Sequence, residues 1–160
     1  MERLWAPWRM EYILDEKPEG CIFCRGRDGD DDRKSLILYR TGHALVMMNR
    51  YPYVNGHLMV APYRHTGSLH DLLSEELLEL METARLCQRI LDSELHPGGY
   101  NIGFNLGSAA GAGIADHLHL HIVPRWQGDT NFMTVLGDVR VLPEALSLQY
   151  DRLLRLFGKA

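Results

Sequence analysis

The stretch Asp116-His117-Leu118-His119-Leu120-His121-Ile122-Val123-Pro124-Arg125 decides how the rest of the chain is read. An extended strand turns successive side chains to opposite faces, so His117, His119 and His121 share one face while Leu118, Leu120 and Ile122 share the other. The aliphatic face belongs to a core, and the imidazole face to a cleft, to water or to a metal. Same-face neighbours on a strand lie roughly 6.6 Å apart, which flanks a phosphorus above the middle ring with an imidazole on either side. One histidine on a strand is ordinarily a surface or core residue, but three in strict alternation inside the chain point to chemistry. Imidazole also ligates zinc and copper. The spacing alone therefore leaves nucleophilic chemistry at phosphorus and metal ligation both open.

Directly upstream, Leu106-Gly107-Ser108-Ala109-Ala110-Gly111-Ala112-Gly113-Ile114-Ala115 carries three glycines and several alanines. Such a run can present backbone N–H groups to phosphate oxygens without a charged side chain, and equally can be a plain hairpin loop. It is not a Walker loop, because no Gly-Lys-Ser/Thr follows. Before it, Tyr100 to Asn105 alternates like a strand. Further upstream, Leu36–Tyr39, Ala44–Asn49 and His57–Ala61 are short apolar runs separated by Thr41-Gly42 and by residues 51–56, the pattern of antiparallel strands joined by turns. Ser74 to Asp92 reads as a helix with Ser74 as N-cap and Leu77, Met81, Ala84, Cys87 and Leu91 as its packing face. Pro143 near a helix start and Leu146, Tyr150, Leu153 and Phe157 at helical spacing predict a C-terminal helix. The expected class is α+β: an antiparallel sheet of about five strands, a long helix on one face and a C-terminal helix.

A chain of 160 residues with 46% hydrophobic and 24% charged residues can build one real core, so we expect a single domain over 1–160. Its parts would be an N-terminal arm (1–20), a core (21–125) and a C-terminal extension (126–160). A net charge of −4 argues against a general nucleic-acid binder, which needs a basic face to displace counterions. The start Met1-Glu2-Arg3-Leu4-Trp5 lacks the pattern of a signal peptide, and no run reaches the ~20 apolar residues of a membrane span. The expected location is the cytoplasm, with no membrane partner. The aromatic stretch Leu4 to Ile13, broken by Pro7, reads as an arm packing on the body or on a partner subunit.

Cys21-Ile22-Phe23-Cys24 in a reducing compartment reads as a zinc half-site or a redox pair rather than a structural disulfide. A closed zinc site takes four ligands, so two histidines would complete it, with His65 and His117 as candidates. Cys87, on the predicted helix, reads as buried filler. Gly26 to Lys34 reads as a solvated acidic linker, since the glutamate that closes an EF-hand is absent.

The alternating histidine row resembles the signature of the histidine-triad family, and Met48-Asn49-Arg50-Tyr51-Pro52 followed by Gly56-His57-Leu58-Met59-Val60-Ala61-Pro62 is a second region of close resemblance. Within the bacterial and mycobacterial branch described as diadenosine tetraphosphate phosphorylases, the similarity runs from the Trp-Ala-Pro-Trp-Arg arm to Asn131-Phe132-Met133. The resemblance implies a histidine-triad fold, a homodimer, and adenine nucleotides or dinucleoside polyphosphates as ligands, with no organic cofactor. It implies that Asn49 bonds ribose hydroxyls, although Asn49 also suits a strand-ending turn. Asn105, Ser108 and Gly113 fall where family members contact the phosphate, and His57 reads either as a nucleotide contact or as structural. Zinc-bearing relatives, the distantly similar galactose-1-phosphate uridylyltransferases among them, combine a CxxC pair with two histidines. That implies Cys21, Cys24, His65 and His117 as ligands, while relatives without metal leave occupancy open.

The chemistry expected of the row is covalent. His119 attacks the α-phosphorus of a nucleoside 5′-phosphate anhydride, His121 steadies phosphate oxygens or assists the leaving group, and His117 orients the strand or ligates zinc. Water as second acceptor would make a hydrolase, inorganic phosphate a phosphorylase releasing ADP. The hydrolase branch carries a glutamine in the loop where this chain has Ala112-Gly113-Ile114, so the resemblance favours phosphate. Two other classes stay in view: a non-catalytic nucleotide-binding protein, and a zinc metalloenzyme. Asp116, the one carboxylate beside the row, is expected on the core-facing side and poorly placed as a base.

Overall fold

The computed structural model describes residues 20–129 and 144–159. Five antiparallel strands form one sheet: β1 (Ile37–Arg40), β2 (Ala44–Met48), β3 (Leu58–Pro62), β4 (Gly99–Phe104) and β5 (Leu120–Arg125), in the order β1-β2-β3-β5-β4. The last strand among the described residues is thus inserted between β3 and β4. Its register sets His121 opposite Met59 on one side and Gly103 on the other. Among the described residues, four α-helices accompany the sheet: α1 (Ile22–Asp28), α2 (Asp32–Ser35), α3 (Ser74–Leu95) and α4 (Leu146–Phe157).

The sheet is apolar on both sides, and the two sides do different things. Alternate residues Val46, Met48, Leu58, Val60, Leu118, Leu120 and Ile122 pack with Leu80, Ala84, Cys87 and Leu91 of α3 and with Tyr150, Leu153 and Phe157 of α4. The opposite side holds a smaller cluster of Phe23, Ile37, Leu45, Met47, Met59 and Ala61. Every residue of β2 and β3 is buried, because each strand feeds both clusters.

Three expectations change. Gly26 to Lys34 is no linker: it holds the end of α1 and all but the last residue of α2. Gly26 is buried, since a Cβ there would sit 3.0 Å from Ile37 Cδ1; packing against β1 overrides the acidic composition. Ser74 is the first residue of α3 rather than its cap. Glu76 instead accepts the Leu73 N–H at 2.8 Å, satisfying an otherwise free donor of the first turn. Finally, Leu77 and Met81 are 37% and 55% exposed, and Leu80, Thr83 and Ile90 join Ala84, Cys87 and Leu91 in facing the sheet. Two apolar stripes fit the helical period, and the sheet selects one. The aromatic arm and Pro143 lie outside the described residues.

Candidate active site

β5 begins at Leu120, so His117 and His119 sit in its lead-in, held beside the segment after β3 by Leu118 N–H donating to the Thr66 carbonyl at 2.7 Å. The alternation nevertheless holds. Leu118, Leu120 and Ile122 enter the main core, and the imidazoles take the other side, with His117 and His119 buried and His121 half-buried. The His119 and His121 rings meet edge to face at 4.8 Å, closer than the strand spacing, because they turn by 70° relative to one another. Across the sheet from His121, Gly103 offers no side chain, and a Cβ there would meet nothing within 4 Å. The row is thereby left open toward β4.

Hydrogen bonds fix the tautomers. His119 Nδ1 lies 2.9 Å from the His117 carbonyl oxygen, which can only accept. The proton is therefore on Nδ1, and Nε2 keeps its lone pair. His57 Nδ1 accepts the Tyr53 N–H at 3.2 Å, which leaves the His57 proton on Nε2, where it is donated to His121 Nδ1 at 2.9 Å. His121 in turn carries its own proton on Nε2. Tyr53 stacks on His57 with ring centres 4.7 Å apart. Burial above all, with neighbouring imidazoles second, lowers His57 to about 3 and His121 to about 4. Burial also lowers His119. The row is neutral at pH 7, which is the form a nucleophilic imidazole requires.

A second constellation adjoins it. Ligand atoms of Cys21, Cys24, His65 and His117 lie within 4.8 Å of one another. His117 Nδ1 stands 3.2 Å from Cys21 Sγ and 3.1 Å from His65 Nδ1, while Cys24 Sγ is 3.3 Å from His65 Nδ1. The outer atoms are held as a metal site requires: His117 Nε2 donates to the Pro62 carbonyl at 2.8 Å, and His65 Nε2 faces Asp116 Oδ2 at 3.6 Å. Those contacts turn Nδ1 of His117 inward as a free ligand atom. Burial and the neighbouring Cys21 raise the Cys24 thiol, a penalty that a cation among the four donors would relieve. Two sulfurs and two imidazole nitrogens fit a closed zinc site.

The structure therefore brings together the four expected metal ligands and all three histidines of the row, and adds His57 to His121. Asn49 directly follows β2, with its Oδ1 accepting the Tyr51 N–H at 2.9 Å, a turn-forming bond that leaves its amide donors. Asn105 follows β4, and Ser108 opens a short 3-10 turn between Gly107 and Gly111, both at positive φ. Among the described residues no side-chain hydrogen bond joins Asn105 or Ser108 to the histidines. Gly113 lines a cleft of about 460 Å³ with Cys21, His65 and Asp116, beside the Cys/His cluster. Asp116 corrects an expectation: its side chain is 73% exposed and faces His65, because the chain bends before the alternation begins. Phe23 and Pro62 escaped sequence reading, since only the fold carries them to His117.

Residues 31–128 match the HIT domain model. The chain belongs to the HIT family. It is 37% identical over 154 residues to the "AP-4-A phosphorylase" of Mycobacterium tuberculosis (strain ATCC 25618 / H37Rv), covering 91% of this chain and 79% of that one. It is 34% identical over 95 residues to the asymmetrical bis(5′-nucleosyl)-tetraphosphatase of Schizosaccharomyces pombe, covering 59% of this chain and 52% of that one. Among solved structures, a zinc-bound histidine triad family protein from Mycobacterium smegmatis superposes with a TM-score of 0.68 at 26% identity, covering 88% of this chain and 94% of the other.

Proposed function

We propose that this HIT protein is a nucleotidyltransferase that splits diadenosine tetraphosphate with inorganic phosphate, giving ADP and ATP. The observation that carries the reading is the bond from His119 Nδ1 to the His117 carbonyl, which commits Nε2 to nucleophilic attack. Nε2 forms a bond to the α-phosphorus as the anhydride bond breaks and ATP departs, leaving adenylyl-His119. Phosphate then takes the adenylyl group as ADP, and Nε2 recovers its lone pair. His121, with its proton on Nε2, donates to the phosphoryl oxygens, where charge develops. Asn49 amide donors bind ribose, while His57, Asn105, Ser108 and the N–H groups around Gly113 form the nucleotide and phosphate cradle.

Similarity to the mycobacterial AP-4-A phosphorylase supports phosphate as acceptor. Residues 1–160 form one HIT domain in this reading. Zinc bound by Cys21, Cys24, His65 and His117 supplies a structural cross-link, and the free thiols suit a reducing cytoplasm. No helix among the described residues is long and apolar enough to cross a membrane. The protein pairs as a homodimer through β4, one of the two edge strands of the sheet. Ile102 on β4 is 42% exposed, and the Tyr100 hydroxyl binds Asp92 at 2.8 Å, which sets β4 beside the flank of α3 that carries Leu77 and Met81.

The test incubates wild type and His119→Ala with diadenosine tetraphosphate, with and without phosphate, and separates the nucleotides. ADP plus ATP appearing only with phosphate, and not in the variant, is the expected result. AMP plus ATP without phosphate means hydrolysis, and unchanged turnover in the variant overturns the covalent route.

A further inference from the structure

The residue between the two cysteines has a second set of contacts. Phe23 is 1% exposed, and its ring centre lies 5.0 Å from that of His117 and 4.9 Å from that of His119. It sits in the first turn of α1, whose N-cap is Cys21 and which carries Cys24. Ile37, Leu45, Met47, Met59 and Ala61 form the rest of its cluster, so neither the ring nor the helix can shift without disturbing β1, β2 and β3. On the other side of the same contact, His119 makes one hydrogen bond among the described residues, to the backbone of His117. One bond fixes the direction of Nδ1 but not the rotation about that axis, which is left to the rings packed on the imidazole: His121 edge-on at 4.8 Å and Phe23, nearer to parallel, at 4.9 Å.

We infer that Phe23 is a positioning residue: its ring clamps the imidazole of His119 in the orientation set by the His117 carbonyl, and so couples the Cys/His cluster to the nucleophile. The inference rests on the nucleophilic role of His119 proposed above. It follows that Phe23 acts on the rate of the chemical step rather than on substrate affinity, because a ring that is 1% exposed has almost no surface to offer a nucleotide. A misplaced nucleophile loses rate steeply, since reacting atoms must be held close to their line of approach.

The experiment compares wild type, Phe23→Leu and Phe23→Met, which keep apolar bulk but lose the flat ring, with Ile37→Ala, which creates a cavity in the same cluster without a ring contact to either histidine. Zinc is held in excess throughout. Long-range 15N–1H correlation spectra report the His119 tautomer directly, independently of any activity. Wild type and Ile37→Ala are expected to show one tautomer with the proton on Nδ1, and the Leu and Met variants a mixture. In phosphorolysis of diadenosine tetraphosphate, kcat of the Leu variant is expected to fall about tenfold or more with KM little changed. A single Nδ1–H tautomer in both Phe23 variants overturns the inference whatever the rates do, as does a mixture in Ile37→Ala. If wild type fails to turn over the substrate, the proposed function falls while the spectra still decide the role of Phe23.

Discussion

His57 Nε2 lies 2.9 Å from His121 Nδ1, although the two residues come from different strands' ends and face each other across the β3–β5 pairing. Since His57 Nδ1 is already occupied as an acceptor by the Tyr53 N–H, the proton between the rings belongs to His57. His57→Gln retains a donor in this place and His57→Leu does not. We expect the Leu variant to lose on the order of tenfold or more in kcat, as removal of a buried network partner does, and the Gln variant to lose clearly less. Steady-state kinetics on both decide it; equal losses would show that the bond is irrelevant.

The same pair makes stability depend on pH. His57 is lowered to about 3 and His121 to about 4 from an ordinary value of 6.5. Below about pH 6.5 the unfolded chain takes up protons that the native chain refuses. The stabilisation is therefore present above pH 6.5 and lost as the pH falls toward 4 and then 3. Urea midpoints are expected to be lower at pH 5 than at pH 7.5, and the difference should shrink in His57→Gln. Midpoints insensitive to pH in wild type would contradict the burial of neutral imidazoles.

Cys24→Ser removes one of four donors and substitutes a poor one. The variant is expected to hold well under one zinc per chain after gel filtration, where wild type holds about one, and to melt at lower temperature. Metal analysis and thermal melting check this; full zinc retention would remove Cys24 from the ligand set.

Gly56 has φ +78, and a Cβ there would stand 2.6 Å from Leu95 Cδ1 and 3.1 Å from Pro124 Cγ. Its N–H donates to Gln149 Oε1 of α4 at 3.1 Å. Gly56→Ala combines a strained backbone with overpacking and should cost about 1–3 kcal/mol, read from denaturant unfolding. Because Gly56 precedes His57, kcat is expected to fall as well, and a neutral substitution would mean that the turn relaxes freely.

The alternation of His117, His119 and His121 was legible because period-two burial is a local property, and it survived even where the strand proper starts at Leu120. The meeting of Cys21, Cys24, His65 and His117 was legible only in part: the CxxC spacing asks for two further donors, but among eight histidines it was the resemblance to zinc-bearing relatives that pointed to His65 and His117. The exposed flank of α3 was not: Leu77-Met81 and Leu80-Ala84 both satisfy a helical period, and only the sheet chooses between them. Phe23 and the His57 pairing were invisible for a similar reason, since no local pattern connects residues 64 or more positions apart.

Cys21 and His117 are separated by 96 positions, and the contact between them closes most of the described chain into one loop. Closing a loop of that length carries an entropic cost that only the finished sheet can offset. Cys21, Cys24 and His65 all leave the ribosome well before His117, so the quartet stays one member short until the segment leading into β5 has been made. The imidazole row and the last member of the quartet lie on that one segment, so a chain made only as far as β4 has neither.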